Sequence, residues 1–246
     1  MAIPASVATL ERELRGIFGH RLQSLVIYGQ RAHAHREAVG HHGGAHGHRD
    51  ARPIHTLAIV ETAARDDLRA CAARIESWHD AGLATPLLLA ACELEQSLDV
   101  FPLEFGAILA DHEVVSGTPL SGSVDPADLR RACEVQARSH LLHLRQGYLE
   151  SRGNVDALAV LIVASAAPFA ALLTSMARLD GHPGDDATAS ARHIERALGL
   201  AGDTFAHIAE LVGVPEIAAS EAERIFPAYL DAVERLVGHV DGWRAA

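Results

Sequence analysis

The sequence predicts an α+β half followed by an all-α half. Three observations carry this. Two apolar, strand-like runs, Leu22–Tyr28 (LQSLVIY) and residues 53–60 (PIHTLAIV), lie in the first half and are bounded by Gly, Pro and Glu. Beyond Gly122, Asp125-Pro126 is a helix-start signal, and apolar residues then recur at three- and four-residue spacing to the end. Residues 157–177 carry no charge at all, a length only a helix uses.

Ser6 is placed to cap a helix running to Phe18, with Leu10, Leu14 and Phe18 on one face. After the first strand, residues 30–52 form a loop, and residues 53–60 form the second strand. A helix is expected over 64–79, with Leu68, Cys71, Ile75 and Trp78 as its stripe. Two further short strands are expected, over 86–91 (PLLLAA) and over 103–109 (LEFGAIL). The helical half starts with a long helix to Ser151, striped by Leu129, Cys133, Ala137, Leu141, Leu144 and Tyr148. The uncharged helix follows, then shorter ones over 188–200 and 203–212. The last, over 217–240, carries Phe226, Tyr229, Val233, Leu236 and Val240 on one seam. Short connections between them make an up-down bundle. The expected domains are therefore 1–120 and 125–246, with no internal repeat.

Composition excludes several functions. With 246 residues the chain can bury a proper core, and 49% hydrophobic against 22% charged residues excludes a disordered chain. The net charge of −11 disfavours nucleic acid and anionic membranes as partners. Every base is Arg; the absence of Lys removes Schiff-base, P-loop and kinase-type lysine chemistry. Cys71, Cys92 and Cys133 lie far apart, which fits neither a disulfide framework nor a CxxC metal site. No basic stretch precedes an apolar one at the N-terminus, so a cytoplasmic protein is expected. The uncharged segment is long enough to span a bilayer, but Ser165, Pro168, Thr174 and Ser175 within it favour the central helix of a bundle, with no membrane.

Six of the sixteen histidines sit in the loop between the first two strands: His33, His35, His41, His42, His46 and His48. His33-x-His35 and His46-x-His48 offer imidazoles on short spacers, a donor type that suits Zn²⁺ or Ni²⁺, and His55 stands ready to complete such a site. Against a dedicated site, a Gly/His/Ala loop offers few groups to orient the ligands.

A strand ending in Gly, a loop, and a second strand of the form D-x-D-L-x-V-V make up the signature of polymerase-β-type nucleotidyltransferases. The sequence resembles that superfamily through LVIYG (Leu25 to Gly29), HTLAIVE (His55 to Glu61), DVFPLEF (Asp99 to Phe105) and the Glu134-x3-Arg138…LHLRQGYL helix. The run DVFPLEFGAILADHEVVSG looks like the stretch closing the nucleotidyltransferase domain in two-domain bacterial members, and the helical half resembles the bundle that follows it. The resemblance implies a mixed sheet with flanking helices, a loop at Gly29 and Gln30 that holds nucleotide phosphates, and a carboxylate pair two residues apart on one strand face that clamps Mg²⁺ for phosphoryl transfer.

The site motif departs from that pattern. Gln30 replaces the expected Ser, and the D-x-D positions fall on Pro53 and His55 or on Ile54 and Thr56. Glu104 alone is expected to survive from the acidic trio. Arg138 and Arg145, at one face of the first bundle helix, could grip an anionic ligand or pair with carboxylates such as Glu134, four residues before Arg138. The function expected is a nucleotidyltransferase-like protein with a degenerate catalytic motif, binding a nucleotide or a protein partner without catalysis. The alternatives are an active nucleotidyltransferase working through Glu104 with a divalent metal such as Mg²⁺, and a metal-binding protein acting through its histidine loop.

Overall fold

The computed structural model describes residues 3–29 and 53–242. The chain divides into two compact units, residues 1–124 and 125–246.

The first unit is built on a four-stranded mixed sheet of order β3-β2-β1-β4, with β1 Leu22–Tyr28, β2 His55–Val60, β3 Leu87–Ala90 and β4 His112–Gly117. β1 pairs antiparallel with both β2 and β4, and β3 adds parallel to β2. Alternation along each strand supplies two apolar faces. Leu25 and Ile27 of β1 and Ala58 and Val60 of β2 join one core with Val7, Leu10, Leu14 and Phe18 of helix α1 (Ala5–Phe18). Val26, Leu57 and Ile59 join a second core with Leu94 of α4 (Ala91–Leu98) and Phe105 and Ile108 of α5 (Pro102–Ala110). Leu10, Leu14 and Leu25 are wholly buried, each stabilising the unit by about 1.5–3 kcal/mol relative to an exposed side chain.

Three sequence expectations are corrected here. Residues 103–109 are not a strand: Pro102 opens helix α5 as its first residue, and Pro102, Phe105 and Ile108 bury one face at three-residue spacing. The strand lies just beyond, at β4, which the sequence reading passed over. The helix expected over 64–79 is two, α2 (Arg65–Ala72) and α3 (Ile75–Asp80). The Asp67 carboxylate holds the start of α2 by accepting the Ala64 N–H at 2.9 Å, and Trp78 of α3 donates to Glu13 of α1 at 2.6 Å. Ser6 does not cap α1; the helix starts at Ala5, directly after Pro4, and has no side-chain cap.

The second unit is all helix: α6 (Pro126–Ser151), α7 (Val155–Leu179), α8 (Ala187–Leu198), α9 (Thr204–Glu210) and α10 (Ala219–Gly242). The Asp125 carboxylate accepts the Ala127 N–H at 2.7 Å and starts α6. Asn154 accepts the N–H groups of Asp156 and Ala157 at 2.9 and 3.0 Å and starts α7. Helix α7, uncharged from Ala157 to Ala177, packs against α6, α8, α9 and α10. Its length and hydropathy would also suffice to cross a bilayer, yet Leu158, Ile162, Ala166, Phe169, Leu173 and Met176 are buried inside the unit. Pro168 lacks the N–H that would bond the Ala164 carbonyl, and Ala164 lies on the exposed side, where water can satisfy it. Phe169 meets Phe205 and Tyr229 edge-on at 5.0 and 5.3 Å.

Candidate functional site

Tyr28 is the last residue of β1, and its partners across the sheet are His55 on β2 and His112 on β4. Directly opposed residues of an antiparallel ladder share a face. His55, Tyr28 and His112 therefore form one polar row across three strands, on the face covered by α4 and α5. The Tyr28 and His55 rings are tilted against each other with centroids 5.7 Å apart. All three side chains are half-buried.

The chain turns away from the sheet at Gly29, which takes φ of +74° and donates its N–H to the Asp111 carbonyl at 3.0 Å. That bond ties the end of β1 to the residue before β4, and glycine tolerates the left-handed backbone it requires. His112 is held from the same corner. Its Nδ1 lies 3.1 Å from the carbonyls of both Ile108 and Leu109. A carbonyl only accepts, so Nδ1 carries the hydrogen and donates, and in the neutral ring Nε2 keeps its lone pair.

Glu104 approaches the row from a helix, not from a strand. It sits in the first turn of α5, exposed, while Phe105 beside it is buried against the sheet. The Tyr28 hydroxyl has its pKa raised, first by burial and then by the Glu104 charge.

The donor set does not fit Mg²⁺. That ion wants several hard oxygens in near-octahedral array, and among the described residues the row with Glu104 offers one carboxylate, one phenol and two imidazoles. Among the described residues, no three His, Cys, Asp or Glu side chains come together as a metal-binding group. Gln30 and the histidines His33, His35, His46 and His48 lie outside the described residues; of that expected set, His55 alone is placed.

Arg138 and Arg145 belong to the helical unit, and each meets a carboxylate of α10. Arg138 pairs with Asp241 and lies 3.7 Å from Glu134, and Arg145 donates to Glu234 at 2.7 Å. Of the four side chains at the Gly29 end, the sequence reading named Glu104 and His55 and missed Tyr28 and His112. A tyrosine directly before the strand-ending glycine was the available signal. His112 had none until β4 was known.

The sequence matches no family model and no curated protein. The structure is similar to the crystal structure of spectinomycin adenyltransferase AAD(9) from Enterococcus faecialis with ATP and spectinomycin. The TM-score is 0.55, with 94% of this chain and 98% of that chain covered at 9% sequence identity. At that identity the likeness shows the fold alone: a nucleotidyltransferase-like mixed sheet with flanking helices, accompanied by a helical part.

Proposed function

We propose that this protein binds a nucleotide-class ligand at the Gly29 end of its sheet and does not carry out metal-dependent nucleotidyl transfer. The carrying observation is the row His55–Tyr28–His112, with the Glu104 charge raising the Tyr28 pKa. Phosphoryl transfer consists largely of positioning and of neutralising developing charge, and metal ions supply several kcal/mol of the latter. Half-buried imidazole and phenol groups in a row are suited instead to hydrogen bonding and ring contact with a bound ligand. The fold likeness to a structure holding ATP supports the nucleotide as ligand class.

Incubated with Mg²⁺ and each of the four ribonucleoside triphosphates, the purified protein is expected to release no pyrophosphate above a protein-free control. Calorimetry on the same preparation is expected to show saturable binding of at least one nucleoside or nucleotide. Turnover that Glu104→Gln abolishes would restore the enzyme reading, and the absence of any binding would remove the ligand reading.

A further inference from the structure

The chemistry of the free hydrogen-bonding groups at this row says which part of a ligand it suits. Among the described residues, Glu104, Tyr28 and His55 make no hydrogen bond through their side chains, and His112 uses only Nδ1. Glu104 offers two carboxylate oxygens and His112 offers the Nε2 lone pair, all of them acceptors. The Tyr28 hydroxyl can donate or accept. No described arginine pairs with Glu104, and the chain contains no lysine to bring a compact cation here. A phosphate needs donors and positive charge; among the described residues this row presents one negative charge, no paired cation, and as donors only the Tyr28 O–H and one His55 N–H against a larger number of acceptors.

Resting on the nucleotide reading above, we propose that the row takes the nucleoside part of the ligand and gains nothing from its phosphates. The Glu104 carboxylate and His112 Nε2 accept hydrogen bonds from a vicinal ribose diol, and Tyr28 completes the contact. The tilted Tyr28–His55 pair, half-buried beside them, gives ring surface for the base. The phosphates extend away from Glu104.

Calorimetry in EDTA-containing buffer tests this with adenosine, guanosine, cytidine and uridine, their 2′,3′-dideoxy analogues and their 5′-triphosphates. At least one ribonucleoside should bind as tightly as its own triphosphate. Its dideoxy analogue should bind about tenfold more weakly, the scale of a lost hydrogen bond to a charged group. Glu104→Gln should weaken the nucleoside about tenfold and its triphosphate by less, because both lose the charged acceptor of the diol while the triphosphate also loses a like charge nearby; general loosening of the fold would weaken both equally. A triphosphate that binds tenfold tighter than its nucleoside without metal, or an unchanged affinity for the dideoxy analogue, would overturn the assignment while leaving nucleotide binding intact. If none of these ligands binds, the nucleotide reading falls with it. The wild-type ligand series decides these outcomes even if the variant fails to fold.

Discussion

His140 and Tyr229 meet inside the helical unit with Nε2 2.6 Å from the phenolic oxygen, although 89 residues separate them in the chain. His140 also stacks on Phe169 at 4.6 Å and is 5% exposed. An imidazole in such surroundings stays neutral, because charging it would bury a cation among aromatic rings.

That burial, followed by the nearby His143, lowers the His140 pKa to about 4. An unfolded histidine titrates near 6.5, so between these values the unfolded chain binds the proton that the folded one refuses. Stability from this group is therefore complete above pH ~6.5 and is lost as pH falls towards ~4. The full loss is about 3 kcal/mol. Urea midpoints measured from pH 7 to 4.5 should fall, and His140→Leu should flatten the slope even though it lowers stability at neutral pH. A slope unchanged by the substitution would place the acid sensitivity elsewhere.

A second prediction concerns Gly117, the last residue of β4. Its φ is +85°, and a Cβ there would run into the Gln23 carbonyl oxygen and come 2.9 Å from the Ser24 Cα. Both obstacles are backbone atoms of the strand β1, so neither can swing aside. Gly117→Ala should cost about 2 kcal/mol or more, the sum of left-handed strain and a backbone collision. Thermal melting would check it; a shift below one degree would mean that β4 can move off β1 at little cost.

The helical half was legible because its apolar spacing repeats over many turns and Asp125-Pro126 marks its start. Leu22–Tyr28 and the second strand were legible because each is bounded by residues that stop strands. The region from Asp99 to Gly117 was not. LEFGAIL is apolar at nearly every position, so alternation and helical spacing fit it about equally well. What decides is Pro102 at the first helical position and burial of Phe105 and Ile108 three apart. Misplacing that helix hid β4, whose half-buried residues give a weak pattern. With β4 hidden, His112 had no reason to stand beside Tyr28. Glu104 was thus named for its chemistry but placed on the wrong kind of element.

The α6–α10 ion pairs give a third prediction. Arg145 and Glu234 are 51% and 44% exposed, and Arg138 and Asp241 are similarly wet. Half-exposed pairs are screened and cost side-chain entropy, so double-mutant cycles should return coupling of no more than ~1 kcal/mol for each. Arg138→Ala and Arg145→Ala should leave triphosphate affinity unchanged, because both guanidinium groups serve α10. A tenfold loss of affinity in either variant would bring back the arginines as anion ligands.

The last prediction returns to the buried polar chain. Ser165 Oγ donates to the Ile162 carbonyl at 2.8 Å and lies 3.2 Å from the Tyr229 oxygen. Two arrangements satisfy these groups and differ in the His140 tautomer; with the proton on Nε2 the hydrogens run from the imidazole to the serine. His140 Nε2–H donates to Tyr229, the Tyr229 hydroxyl donates to Ser165, and Ser165 donates to the carbonyl of its own helix. Tyr229→Phe then strands two groups, the His140 donor and one lone pair of Ser165, at a cost of about 1–3 kcal/mol. Ser165→Ala removes only the acceptor of the tyrosine hydrogen. That hydrogen can turn to His140 if the imidazole shifts its own proton to Nδ1, so the cost should be smaller. Chemical denaturation of both variants at pH 7 should therefore rank Tyr229→Phe as the more damaging. The reverse order would mean that the hydrogens run the other way, from Ser165 into Tyr229 and from Tyr229 into the imidazole.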